Sequence, residues 1–110
     1  MRVAIPFDEA RADAQVGGHM KDASGVGINY ADVIVKAIKL TLADGRKLTC
    51  KRRGLKLTLT IGDRAGEGLL RRLANGPDER RIVREGLAEA ARNAGAALSF
   101  EPGTLVIELG

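Results

Sequence analysis

The chain has one cysteine, one histidine, no tryptophan and only three aromatic residues, Phe7, Tyr30 and Phe100. Each scarcity excludes a class of protein. A lone Cys50 cannot form an internal disulfide, and it fits a reducing compartment, so the expected location is cytoplasmic. One histidine and one cysteine cannot supply the three or four side chains of a zinc site, so no metal ligand is assigned. Nucleophilic catalysis needs a nucleophile, a base and an orienting group within reach. His19 stands in the loosest part of the chain and Cys50 at an apolar strand position, so no catalytic residue and no cofactor are assigned. No stretch approaches the ~18 apolar residues that cross a membrane as a helix. The opening MRVAIPFDEARADAQ meets acids too early for a secretory signal. No membrane partner is expected.

What is present is ordinary in bulk and uneven in detail. At 110 residues, 45% hydrophobic and 29% charged, the chain suits one globular domain whose core is built from Leu, Ile, Val and Ala. Its net charge of +4 is concentrated. Residues 1–32 carry three cations and five acids, residues 33–64 nine and two, residues 65–110 six and seven. Within the middle third, Arg46, Lys47, Lys51, Arg52, Arg53 and Lys56 stand together with no acid between them. Such a cluster marks either a polyanion-binding surface or a solvated sheet face.

From Val33 to Ile61 the sequence reads as a three-stranded meander, with strands over 34–42, 47–52 and 55–61. Ile38, Leu40 and Leu42 alternate with Lys39 and Thr41; Leu55, Leu57, Leu59 and Ile61 alternate with Lys56, Thr58 and Thr60. This is the period of half-buried strands. A three-residue loop with Gly45 left-handed pairs Leu40 with Leu48 and keeps the apolar faces together. A two-residue Arg53-Gly54 loop pairs Cys50 with Leu57 and sets Lys51 opposite Lys56, a repulsive pair unless something anionic lies nearby. The polar face then holds Lys39, Lys47, Lys51 and Lys56 among threonines, with Arg52 and Arg53 at the hairpin tip.

Beyond Gly62 the pattern predicts a helix capped by Asp63, with Leu69, Leu70 and Leu73 buried, although Gly66 and Gly68 oppose it unless another backbone approaches closely there. Asn75-Gly76-Pro77 stops it. A second helix over 79–94 buries Val83, Leu87, Ala90, Ala91 and Ala94 at 3.6-residue spacing. A hairpin of 97–101 and 104–109 follows, pairing Phe100 with Leu105 and Leu98 with Ile107. Val3, Ile5 and Phe7 alternate as a short strand, and a Gly-rich stretch over 15–29 shows no apolar period. The predicted fold class is α+β: a two-layer, mostly antiparallel sheet, meander plus C-terminal hairpin, with two helices on one face. Residues 1–32 read as a strand and Gly-rich loop, residues 33–110 as the α+β domain.

Gly17-Gly18 and Gly25-x-Gly27 lack the Gly-Lys-Ser/Thr and the strand–loop–helix frame of phosphate loops. The leading expectation is a non-catalytic binding or assembly module that acts through its sheet surface or a strand edge, self-association included. The alternative is a nucleic-acid backbone binder using Lys39, Lys47, Lys51, Arg52, Arg53 and Lys56. A small enzyme ranks third. An acidic partner or nucleic acid suits the face electrostatically, but sheet-face readers of single strands stack bases on aromatic residues, and this face has none. Glu101 and Glu108 offer a rival account, in which the final hairpin joins the same sheet and neutralises the lysines internally.

Overall fold

The structure, a computed structural model, describes residues 1–8, 28–70 and 78–110. The element order is β1 (Arg2–Pro6), α1 (Ile28–Ala37), β2 (Lys39–Thr41), β3 (Lys47–Arg53), β4 (Lys56–Ile61), β5 (Arg64–Leu69), α2 (Asp78–Asn93), β6 (Ala96–Glu101) and β7 (Thr104–Leu109). The fold is α+β and every strand pairing is antiparallel. Most of the Gly-rich stretch, including His19, lies outside the described residues, as do Leu73 and the Asn75-Gly76-Pro77 stop.

The strands form two sheets, β2-β3-β4-β5 in chain order and β1-β7-β6. The C-terminal hairpin therefore does not extend the meander. It pairs with the first strand, Val3 opposite Ile107 and Ile5 opposite Leu105. Its own register sets Phe100 opposite Leu105 and Leu98 opposite Ile107, as the alternation predicts. Because β7 lies between β1 and β6, Thr104–Leu109 offers no free edge, and the edge-pairing route to a dimer cannot run through it. Val3, Ile5 and Phe7 are buried in one cluster with Ile34, Leu48, Leu59, Leu87 and Ile107, so both sheets and both helices share a core.

Three further expectations are corrected. Residues 34–37 belong to α1, with Ala31, Ile34 and Ile38 buried at helical spacing, and only Lys39–Thr41 of that segment is strand. Residues 64–69 are strand β5, not a helix. The third is a slide of the β3–β4 register by two residues: Cys50 faces Leu59, and Lys51 faces Thr58 rather than Lys56. The turn explains the slide. An Arg53-Gly54 loop of type I′ would force Arg53 to positive φ. The chain turns instead at Gly54-Leu55, with φ +56° at Gly54 and no non-glycine residue at positive φ, the pattern of a type II′ turn. A shift by two preserves the faces, so Leu48, Cys50, Leu57, Leu59 and Ile61 are all buried nonetheless. The first hairpin is as predicted, with Leu40 opposite Leu48 and Gly45 at φ +89°.

The stripe Val83, Leu87, Ala90, Ala91 and Ala94 of α2 is buried, and it lies against β5. There Gly66 and Gly68 present bare backbone: a methyl group on Gly66 would overlap the Ala90 carbonyl and Ala94 amide, and one on Gly68 the Gly86 carbonyl. The predicted close backbone approach at these glycines is real, though the glycines lie in a strand. The same contact caps a sheet edge. β5 is the last strand of its sheet, and its outward Leu69 N–H donates to Glu89 Oε1 (2.8 Å) while its Glu67 carbonyl accepts from Asn93 Nδ2 (2.7 Å). Unpaired edge groups invite another strand, and here two helix side chains occupy them. The double substitution Glu89→Ala/Asn93→Ala is therefore expected to raise the apparent mass at high micromolar concentration relative to the parent protein. Light scattering that gives both proteins the same mass would show that the edge needs no guard.

Candidate polyanion-binding face

The meander sheet buries one face beneath the helices and leaves the other open. Along β3 the alternation turns Leu48, Cys50 and Arg52 towards the helices and Lys47, Thr49, Lys51 and Arg53 outward. The registers carry this across the sheet in four rows: Thr41 beside Lys47; Lys39, Thr49, Thr60 and Ala65; Lys51, Thr58 and Glu67; Arg53, Lys56 and Leu69. Lys39, Lys47, Lys51, Arg53 and Lys56 are exposed, and Thr49, Thr58 and Thr60 are half-buried between them. The sequence-predicted residues are thus brought together, with one exception.

Arg52 is that exception. It shares the helix-side face with Cys50, where its Nε donates to Asp32 Oδ1 on α1 (3.1 Å) and its Nη1 to the Gly54 carbonyl (2.8 Å). A guanidinium held this way, with its side chain only 19% exposed, ties the hairpin tip to α1 and is not offered to a ligand on the open face. Arg46 is also engaged. Asp44 Oδ2 accepts from its Nε (2.8 Å) and Asp44 Oδ1 from its backbone N–H (3.0 Å), which hold the Asp44 carboxyl below the usual carboxylate range.

The remaining cations divide. Lys56 lies 3.4 Å from Glu67 Oε2, an exposed contact of little energetic weight. Lys39, Lys47, Lys51 and Arg53 make no ion pair among the described residues. The predicted Lys51–Lys56 repulsion is replaced by Arg53 opposite Lys56 at the hairpin end. The rival account through Glu101 and Glu108 fails on topology. Both acids lie in the other sheet, where Arg2 reaches Glu101 (2.9 Å) and Glu108 (3.7 Å). Sequence reading missed Glu67, the only acid in these rows, and the pairing of Arg52 with Asp32. Glu67 becomes visible once Gly66 and Gly68 are seen as the inward positions of a strand.

Cys50 is 6% exposed, and burial pushes its thiol up to about 12. Among the described residues no three His, Cys, Asp or Glu side chains cluster to hold a metal ion, and no helix is long and apolar enough to cross a membrane. The shallow grooves beside α2 are lined by Glu85, Glu89 and Arg92 and by Arg64, Arg92 and Asn93, with neither hydroxyl nor thiol beside a base.

Among the described residues, fold and face together define an α+β protein of two antiparallel sheets with an open cationic face on the β2–β5 sheet. No family model, no curated protein and no solved structure matches this chain.

Proposed function

We propose that the protein is a non-catalytic binding module that holds a polyanion on the open face of β2–β5. The observation that carries this reading is the set Lys39, Lys47, Lys51 and Arg53, four exposed cations on one face with no acid partner among the described residues. Arg53 and Lys56 stand directly opposite each other on neighbouring strands, a mildly repulsive pair that an anionic ligand relieves. The surrounding threonines add hydroxyl donors without adding bulk.

Heparin chromatography of charge-matched variants tests the reading. Lys47→Gln/Lys51→Gln removes two charges from the open face, and Arg64→Gln/Arg92→Gln removes two from residues beside a groove on the helix side. The lysine pair is expected to elute at clearly lower salt than the parent protein, and the arginine pair close to it. Equal shifts for both would mean that only net charge matters, and would remove the face as a site.

A further inference from the structure

Resting on that reading, we propose that the polyanion is a single nucleic-acid strand laid along β3, with one phosphate at each two-residue step. Same-face residues of an antiparallel strand recur about every 6.8 Å, and neighbouring strands lie about 4.8 Å apart. Each of the four rows carries a cation: Lys47, then Lys39, then Lys51, then Arg53 with Lys56. Three belong to β3 itself and the other two stand one strand to either side. The charges therefore form one file about 20 Å long, rather than two parallel files.

A duplex presents two phosphate chains across a groove about 12 Å wide, and it would need two such files. A single phosphodiester chain needs one. Each of the first three rows also places threonine beside its ammonium: Thr41 with Lys47, Thr49 with Lys39, Thr58 with Lys51. An ammonium and a hydroxyl serve the two non-bridging oxygens of one phosphate. An acidic peptide shares the repeat, but an extended peptide gains most by adding backbone hydrogen bonds at a sheet edge, which a sheet face cannot offer. No aromatic residue stands in any of the four rows, so bases find no stacking platform and binding is independent of sequence.

The test measures binding of labelled oligothymidylates from about two to about ten nucleotides, a duplex of the longest length, and poly-glutamate of similar charge. Affinity is expected to climb to about four phosphates and then flatten. Four neutralised phosphates on a single strand give a log–log salt slope of about −2.8, so a fourfold rise in salt weakens binding about 50-fold. Lys47→Gln/Lys51→Gln is expected to bring the slope to about −1.4. Duplex or poly-glutamate binding as tight as the oligothymidylate overturns the single-strand assignment and leaves the polyanion reading standing. No binding by any of the three at about 50 mM salt removes both.

Discussion

Gly68→Ala is expected to cost about 3 kcal/mol, the upper end of the usual range for overpacking, in a domain whose whole stability is about 5–15 kcal/mol. The added methyl group would overlap the Gly86 carbonyl and press on the Ala90 amide, which stands 2.8 Å from its ideal position. These are backbone atoms of α2, so no side chain can swing aside and the helix itself must lift from β5. Lifting it would open the contact that buries Leu87, Ala90 and Ala94 and would break the Leu69–Glu89 and Asn93–Glu67 hydrogen bonds. In a strand, Ala is otherwise favoured over Gly by roughly 0.5–1 kcal/mol, so the measured loss is net of that gain. Gly45→Ala is the control. Gly45 has φ +89° with nothing within 4 Å of an added Cβ, so only backbone strain of about 1–2 kcal/mol opposes it. Thermal unfolding should place Gly68→Ala roughly 10–20 °C below the parent protein and well below Gly45→Ala. A smaller loss for Gly68→Ala than for Gly45→Ala would show that α2 does not rest on bare strand backbone.

The same glycines show why β5 escaped the sequence. A half-buried strand is recognised by apolar side chains at every second position. In Arg64–Leu69 the inward positions are Gly66 and Gly68, while Leu69 points outward beside Lys56, so the apolar alternation is absent where the strand is real. Segment 34–42 misleads in the opposite way. Ile38 is the last residue of a helical stripe with Ala31 and Ile34, and also the first of an alternating set with Leu40 and Leu42. The β-branched run Val33-Ile34-Val35 favours the strand reading, and burial in the shared core outweighs that propensity.

Local turn chemistry made the first and last hairpins legible, since one loop length kept each apolar face intact. At Gly54 two registers kept the faces intact, and only the backbone cost of positive φ at Arg53 separates them. The candidate face survived that slide because its membership depends on odd and even positions. The four lysines therefore stand on the face where alternation put them, Arg53 joins them from the hairpin end because β3 runs on to it, and Arg52 is on the other side by the same parity. What alternation could not supply was long-range topology: that β1 would take the C-terminal hairpin, and Glu101 and Glu108 with it, away from the lysines.

Raising the pH should reverse the stability order of the parent protein and Cys50→Ala. Cys50 faces Leu59 on the buried side of β3, and burial lifts its thiol from 9.0 to about 12, against a small opposing hydrogen bond from the Lys51 backbone. Below about pH 9 the thiol is protonated in both folded and unfolded chains, and its contribution is constant. Between about pH 9 and 12 the unfolded chain releases the proton and the folded chain keeps it, so stability falls by up to 1.36 kcal/mol per pH unit. By pH 10.5 that loss is about 2 kcal/mol. Cys50→Ala has no such proton; it begins about 1 kcal/mol less stable, for the sulfur contacts removed, and should end about 1 kcal/mol more stable. The two proteins differ at this one side chain, so the difference between their urea midpoints at pH 8 and 10.5 isolates the thiol. At pH 8 the native thiolate fraction is about a thousandth of that in the unfolded chain, so iodoacetamide should label the native protein at least that much more slowly than the urea-unfolded one. Parallel stability curves for the two proteins, or native labelling as fast as unfolded, would place Cys50 in contact with water and undo the facing of β3 that buries it.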